Sequence, residues 1–461
     1  MKITRMACAL GVLGLLAAGS GWASAADRDR VGWRACHDGL WCAGVEVPAD
    51  WSRPRGDRIA VGLLKIPARG DRLGTLLLNP GGPGPSIRNF ALPTYRDQFA
   101  ELAERFDVVV FDPRGIGESG GVTCPGPNPV AVTPPLTEAG HASYTAANAR
   151  FAADCAPATG SLRVNARQVA HDMEAVRVAL GERRLNYFGN SYGTVYGQAY
   201  ADLFGRNVGR MYLDSVLDHT RRDLADWTRP AAITAERNLH RLAAWCAEDP
   251  ACALHGQDLV AVWDRVLARA PIPAPGTDGV DATAILAWAA GRIGNDRGWP
   301  ALATGLAQAD QGDATAMVRR GWLPDTSLAR TALCSDFVFP DDYDSLKRVE
   351  TGLRQTVAPR LGWATQAWNV SGHCSGLPRT GLHPPRPIHA HGLPPVLIAN
   401  GDNDPLTPAE HGRRVAAQLP GARYLAVDGN HGLYLRGNRC VRDHVNHYLW
   451  TGGLPWAGAR C

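Results

Sequence analysis

Residues 187–194 constrain the fold of this 461-residue chain more than any other segment. A short apolar stretch, 185–188, is followed by the pattern Gly-x-Ser-x-Gly and then by small residues that suit the start of a helix. The glycines two positions before and after Ser191 leave room for a sharp turn in which the serine takes a strained backbone conformation. The pattern predicts a strand, a tight turn and a helix, with Ser191 presented at the turn as a candidate nucleophile.

The first 25 residues have the composition of a secretory signal peptide. Basic Lys2 and Arg5 precede an apolar run over residues 7–18, and the small residues 23–25 form a cleavage site. The apolar run is shorter than the roughly 18 residues needed to span a bilayer. The sequence therefore predicts an exported chain, secreted or periplasmic, without a membrane anchor.

Ten cysteines remain after removal of this leader, and an even number in an exported chain indicates disulfides. Sequential pairing is the simplest arrangement, although the sequence alone leaves the connectivity open. It would join 36–42, 124–155, 246–252, 334–374 and 440–461. No His/Cys spacing typical of zinc sites occurs, so we predict neither a metal nor another cofactor. The net charge of +4 is small and no basic stripe is present, which argues against a nucleic-acid partner.

Short apolar segments alternate with helical stretches in two separate blocks of the chain. Such strands between helices predict a mostly parallel sheet with helices on both faces. The strand candidates are 59–64, 75–78, 108–111, 185–188, 211–213, 396–398 and 424–427. Between the two blocks, apolar residues recur at helical spacing. We predict a core formed by residues 26–215 and 390–461, with residues 216–389 inserted as a helical cap domain.

The other two members of a serine triad follow the last two predicted strands. Asp404 lies in the turn 401–405 and His431 in the glycine-containing loop 428–432. The order Ser191, Asp404, His431 is that of the α/β-hydrolase fold, and the carboxyl ends of parallel strands meet at one edge of a sheet. Asp402 is an alternative acid, but its spacing from Gly401 favours a role in the turn.

A glycine-rich turn, 79–84, follows the strand candidate 75–78. Glycines allow the backbone to approach a substrate carbonyl closely and to direct N–H groups at it. Because Pro83 cannot donate, the predicted oxyanion hole consists of the backbone N–H groups of Gly82, or Gly81, and Tyr192. A phosphate-binding loop is the competing interpretation, but the Gly-Lys-Ser/Thr ending is missing.

Taken together, these motifs resemble those of secreted α/β-hydrolases of the tripeptidyl aminopeptidase and prolyl iminopeptidase group. The resemblance is carried by residues 79–84, 112–119, 187–214 and 401–408, and it covers roughly residues 40–215 and 390–461. It implies a cap over the triad and cleavage of short peptides from the amino terminus. A carboxylesterase with the same triad and a non-catalytic binding protein on the same fold are the alternatives.

A free amine that enters a closed pocket needs a carboxylate partner, since an unpaired ammonium is costly to desolvate. The predicted cap contains five candidates for this partner, which the sequence does not rank. They are Glu236, Asp296, Asp336, Asp341 and Asp342.

Overall fold

The computed structural model describes residues 31–126, 129, 137–318, 327–361, 368, 370–379 and 381–461. The predicted signal peptide, residues 1–25, lies outside the described residues. Among the helices of the described ranges, none combines the length and the apolar character of a membrane span.

Within the described ranges, nine strands form a single sheet. They are β1 (Arg34–His37), β2 (Leu40–Pro48), β3 (Arg58–Ile66), β4 (Thr75–Asn79), β5 (Asp107–Phe111), β6 (Leu185–Asn190), β7 (Val208–Asp214), β8 (Leu397–Gly401) and β9 (Arg423–Val427). The spatial order is β1-β2-β3-β5-β4-β6-β7-β8-β9. The pairs from β5 to β9 are parallel, whereas β1, β2 and β3 run antiparallel to their neighbours. The prediction of a mostly parallel sheet is confirmed.

β1 and β2 are not among the strands predicted from the sequence. Both strands lie at one end of the sheet, and β1 is exposed along its whole length while β2 is buried mainly at its two ends. Strands of this kind lack the continuous apolar run that marks a strand buried on both faces.

Helices cover both faces of the sheet, as the alternation of side chains along β4 shows. Leu77 packs in one core together with residues of two helices, Ala166–Ala179 and Gly193–Phe204. Leu76 and Leu78 point the other way, into a core that includes residues of the helix Arg439–Thr451. The helices are α1 (Ile87–Phe90), α2 (Pro93–Arg96), α3 (Glu138–Thr159), α4 (Ala166–Ala179), α5 (Gly193–Phe204), α6 (Leu224–Glu248), α7 (Leu259–Ala268), α8 (Ala282–Ile293), α9 (Trp299–Asp310), α10 (Ser327–Asp336), α11 (Tyr343–Thr356), α12 (Ala409–Ala416) and α13 (Arg439–Thr451).

The chain between β7 and β8 contributes helices α6 to α11 in its described parts, and it has an apolar core of its own. Trp263, Trp288 and Trp299 are all buried in this second core, together with Leu239 and Leu302. These tryptophans therefore have a packing role. The boundaries of the predicted cap domain, 216 and 389, stay predictions.

Five disulfides join all ten cysteines of the described residues. They are Cys36–Cys42, Cys124–Cys155, Cys246–Cys252, Cys334–Cys374 and Cys440–Cys461. This is the sequential pairing. Three of them close the chain over 21 to 40 residues, and the longest, Cys334–Cys374, lies within the inserted region.

Candidate active site

Ser191 occupies a sharp turn between β6 and α5. Its φ is 54°, a left-handed value that is uncommon for a residue with a side chain. The turn is too tight for side chains on either flank: a Cβ atom on Gly189 would lie 2.6 Å from the carbonyl oxygen of Gly193. One on Gly193 would lie 2.4 Å from the carbonyl oxygen of Asn79. The structure thus has the strand, strained serine and helix that the sequence predicts.

His431 and Asp404 meet at the carboxyl ends of β8 and β9. The Nδ1 atom of His431 lies 2.8 Å from Oδ2 of Asp404, and the Asp404 side chain is fully buried. Asp404 Oδ1 also accepts the backbone N–H groups of Leu406 at 2.9 Å and Thr407 at 3.1 Å. A carboxylate held by so many donors has a fixed orientation, and it fixes that of the imidazole.

Thr407 is a site residue that is not among those predicted from the sequence. Its hydroxyl donates a hydrogen bond to Asp404 Oδ2 and lies 3.1 Å from His431 Nδ1. Thr407 falls within the motif 401–408, so its position in the sequence marks it as a residue near the site. Nothing in the sequence indicates that its side chain turns back onto Asp404. Thr407 therefore braces the Asp404–His431 pair.

Asp402, the alternative acid, lies apart from this pair. Its carboxylate is partly exposed and forms ion pairs with Arg413 at 3.3 Å and with Arg460 at 2.8 Å. It makes no hydrogen bond to His431 among the described residues.

Asp404 and His431 each stabilise the charged form of the other. Burial lowers the pKa of His431, but the charge and hydrogen bond of Asp404, together with the charge of Asp214, outweigh this effect and leave the pKa above its ordinary value. Burial raises the pKa of Asp404, while His431 and the two donors of Thr407 reverse the direction and lower it. The structure thus favours an imidazole that binds a proton readily beside an ionised carboxylate.

Ser191 Oγ forms no hydrogen bond to the His431 ring among the described residues. In unliganded enzymes such bonds are often long and tighten only when substrate binds. The backbone of Ser191 is well fixed, because its N–H donates to the carbonyl oxygen of Asp214 at 2.9 Å.

The glycine-rich turn after β4 packs directly against the Ser191 turn. A Cβ atom on Gly81 would lie 2.9 Å from the backbone nitrogen of Tyr192, so only glycine permits this approach. The N–H of Gly81 donates to Asn79 Oδ1 at 3.0 Å and is therefore engaged. Gly82 is exposed, and its N–H has no acceptor among the described residues. Of the two alternatives, this arrangement favours Gly82 as the donor beside Tyr192.

Three of the five cap acids have their partners within the insertion itself. Glu236 accepts the N–H groups of Arg360 and Leu361 at 3.0 and 2.9 Å. Asp341 pairs with Arg379 at 2.5 Å. Asp342 caps α11 through the N–H of Ser345 at 2.9 Å.

Asp336 is the most buried of the cap acids. Its carboxylate is fully buried at the end of α10, accepts the backbone N–H of Ala166 and accepts the hydroxyl of Tyr192 at 2.7 Å. Burial raises the pKa of Asp336 to about 7. Asp336 thus joins the inserted region to the residue that follows the candidate nucleophile.

Asp296 is the cap acid that contacts the histidine loop. Its Oδ1 accepts the side-chain amide of Asn430, the residue before His431, at 3.2 Å. The side chain is 51% exposed, and Arg241 approaches to only 3.8 Å. The preceding Gly294 packs on Pro405, since a Cβ atom there would lie 2.6 Å from the proline ring. This segment of the insertion therefore lies over the loops that carry Asp404 and His431.

Comparison with known proteins identifies the family of the chain. A family model described as the alpha/beta hydrolase fold matches residues 74–437. The chain is 29% identical over 460 residues to serine protease Hip1 of Mycobacterium tuberculosis, covering 92% of this chain and 87% of the relative. It is also 29% identical to the tripeptidyl aminopeptidase of Streptomyces coelicolor, covering 95% and 87% of the two chains. Carboxylesterase B of Mycobacterium tuberculosis is equally similar at 29%, with 91% and 86% covered. The chain therefore belongs to the α/β-hydrolase fold family, and it is a serine hydrolase.

Proposed function

We propose that the protein is an exported aminopeptidase that releases short peptides from the amino terminus of peptide substrates. Ser191 is the nucleophile, His431 the general base and Asp404 the acid that orients the base. The observation that carries this proposal is the 2.8 Å bond between His431 Nδ1 and a buried Asp404, at the sheet edge that also presents the strained Ser191.

In the proposed reaction, His431 removes the hydroxyl proton of Ser191 while Oγ attacks the scissile carbonyl carbon. The carbonyl oxygen becomes an oxyanion, which the N–H groups of Gly82 and Tyr192 stabilise. The imidazolium then donates its proton to the leaving amine as the C–N bond breaks. Water, deprotonated by the same imidazole, hydrolyses the acyl-enzyme and restores Ser191.

Cleavage from the amino terminus requires recognition of a free amine, and Asp296 is the proposed partner. It is the described cap acid that contacts the loop of His431, and its half-exposed carboxylate has Arg241 at 3.8 Å, beyond hydrogen-bond distance, so it can accept a further donor. The tripeptidyl aminopeptidase among the relatives supports this substrate class.

The test compares a tripeptide p-nitroanilide with its amino-acetylated twin. We expect acetylation to abolish cleavage, and Asp296→Asn to raise KM for the free peptide. Asp278→Asn, in an exposed turn of the insertion, is the matched control and should leave KM unchanged. Equal cleavage of both substrates would contradict recognition of a free amine. Hydrolysis of simple alkyl esters with no cleavage of either peptide would replace the aminopeptidase by a carboxylesterase, the activity named for one of the relatives.

Export is proposed from the leader and from the five disulfides, because disulfides persist in oxidising compartments. Amino-terminal sequencing of the mature protein from the periplasm or the medium should give residue 26 as the first residue. Recovery only from the cytoplasm with Met1 retained would contradict this proposal.

A further inference from the structure

The carboxyl end of β7 holds two fully buried polar residues, Asp214 and Ser215, to which the proposed reaction assigns no step. Ser215 has a φ of 55°, which is a left-handed value. Among the described non-glycine residues, only Ser191 also has a left-handed φ. Such conformations persist only where the surrounding structure holds them, and they cluster at functional sites. β7 lies between β6, which leads to Ser191, and β8, which leads to Asp404.

These two side chains accept three consecutive backbone N–H groups directly after His431. Ser215 Oγ accepts that of Gly432 at 2.8 Å. Asp214 Oδ1 accepts that of Leu433 at 3.1 Å, and Oδ2 accepts that of Tyr434 at 2.8 Å. The Ser215 hydroxyl in turn donates to Asp214 Oδ1 at 2.9 Å, so the two side chains act as a unit.

The backbone of the same two residues contacts the other two catalytic segments. The carbonyl oxygen of Asp214 accepts the N–H of Ser191 at 2.9 Å. The N–H of Ser215 donates to the carbonyl oxygen of Ala399 in β8 at 2.8 Å. The segments carrying the nucleophile, the base and the acid therefore all hydrogen-bond to one dipeptide.

The Asp214 carboxylate also acts on His431 by its charge. The charged groups that influence the imidazole are Asp404 and Asp214, which raise its pKa, and Arg436, which lowers it. Burial raises the pKa of Asp214 itself, and its hydrogen bonds together with the charge of His431 partly oppose that rise. A second carboxylate, that of Asp214, is thus held against the residues that closely follow His431 in the chain.

We propose that Asp214 and Ser215 are positioning residues for catalysis. They fix the loop of His431 relative to Ser191, and the Asp214 charge stabilises the imidazolium that forms when Ser191 is deprotonated. The inference rests on the proposed role of His431 as the general base.

The test measures the rate of inactivation by a fluorophosphonate probe as a function of pH in the full-length protein. Asp214→Asn should lower the plateau rate at least tenfold and move the midpoint of the acid limb about one pH unit lower, because a carboxylate near the imidazole is lost. Ser215→Ala keeps that charge while removing the bond to Gly432. It should lower the plateau about fivefold with an unchanged midpoint.

Asp112→Asn is the matched control. Asp112 is also fully buried and accepts three backbone N–H groups, those of Ser86, Ile87 and Glu118, but it is not among the charges that act on His431. Its substitution should leave the midpoint of the acid limb where it is in the wild type.

An unchanged midpoint in folded Asp214→Asn, or an equal shift in Asp112→Asn, would overturn the electrostatic part of the inference. If Asp214→Asn does not fold, the inference is tested with Ser215→Ala. A plateau inactivation rate of Ser215→Ala within twofold of the wild type then overturns the positioning role. The variant His431→Ala distinguishes a failure of the positioning role from a failure of the proposed function. If that variant reacts like the wild type, His431 is not the base and both proposals fall.

Discussion

Replacing Asp404 by asparagine should inactivate the enzyme while leaving its fold intact. The buried carboxylate accepts four donors: the N–H groups of Leu406 and Thr407, the hydroxyl of Thr407 and His431 Nδ1. An amide of the same shape has only one acceptor oxygen. If that oxygen keeps the two backbone N–H groups bonded to Oδ1, the NH₂ group takes the place of Oδ2 and faces Nδ1 of the imidazole.

An NH₂ group in that place forces Nδ1 to become an acceptor and moves the ring proton to Nε2, where the base must accept the proton of Ser191. The wrong tautomer costs about 10⁴-fold in kcat in enzymes of this kind. At 1.36 kcal/mol per factor of ten, this is about 5 kcal/mol of transition-state stabilisation. The folded state should lose far less, about 1–3 kcal/mol, because the amide keeps part of the hydrogen bonding.

The assay measures kcat on the tripeptide p-nitroanilide together with urea unfolding of the same preparations. Asp402→Asn is the matched control, two residues away and engaged in surface ion pairs with Arg413 and Arg460. Its activity should stay within twofold of the wild type, because such pairs contribute little. Activity of Asp404→Asn within tenfold of the wild type, or an equal loss in Asp402→Asn, would refute the assignment of the acid.

Further expectations concern the nucleophile, the base and Tyr192. Ser191→Ala should lower kcat on the order of a millionfold with little change in the free energy of unfolding, and residual turnover above one in about 1,000 would indicate another nucleophile. Activity should rise with pH through a midpoint above the ordinary histidine value of about 6.5, because the raised pKa keeps His431 protonated, and inactive as a base, to higher pH. A midpoint below that value contradicts the geometry. Tyr192→Phe keeps the backbone donor but removes the hydroxyl bonded to buried Asp336, so urea unfolding should show a loss of about 1–3 kcal/mol.

The parts of the fold that the sequence predicts are those fixed by local chemistry. Continuous apolar strands and the small residues around Ser191 are signals contained in short stretches of chain, and the even number of cysteines indicates disulfides. The predicted mostly parallel sheet and the sequential disulfides are confirmed. β1 and β2 were missed because end strands with exposed side chains lack that signal. The catalytic roles of Ser191, Asp404 and His431 stay predictions that the geometry supports.

The supporting residues could not be predicted, because their contacts arise only when distant segments meet. Thr407 turns its hydroxyl onto the Asp404–His431 pair, and Asp214 binds N–H groups more than 200 positions away in the chain. Neither contact follows from periodicity or composition. The five cap acids could not be ranked for the same reason, since the packing of Gly294 on Pro405 and the contact of Asp296 with Asn430 join segments that are far apart in the chain.

The catalytic role of Ser191 is tested most directly by the site of covalent modification by a fluorophosphonate probe, located by tandem mass spectrometry of the digested protein. We expect a single adduct on Ser191 that forms in step with loss of peptide hydrolysis and is missing from Ser191→Ala. Complete inactivation with the adduct on another residue, or full labelling of Ser191→Ala, would contradict it.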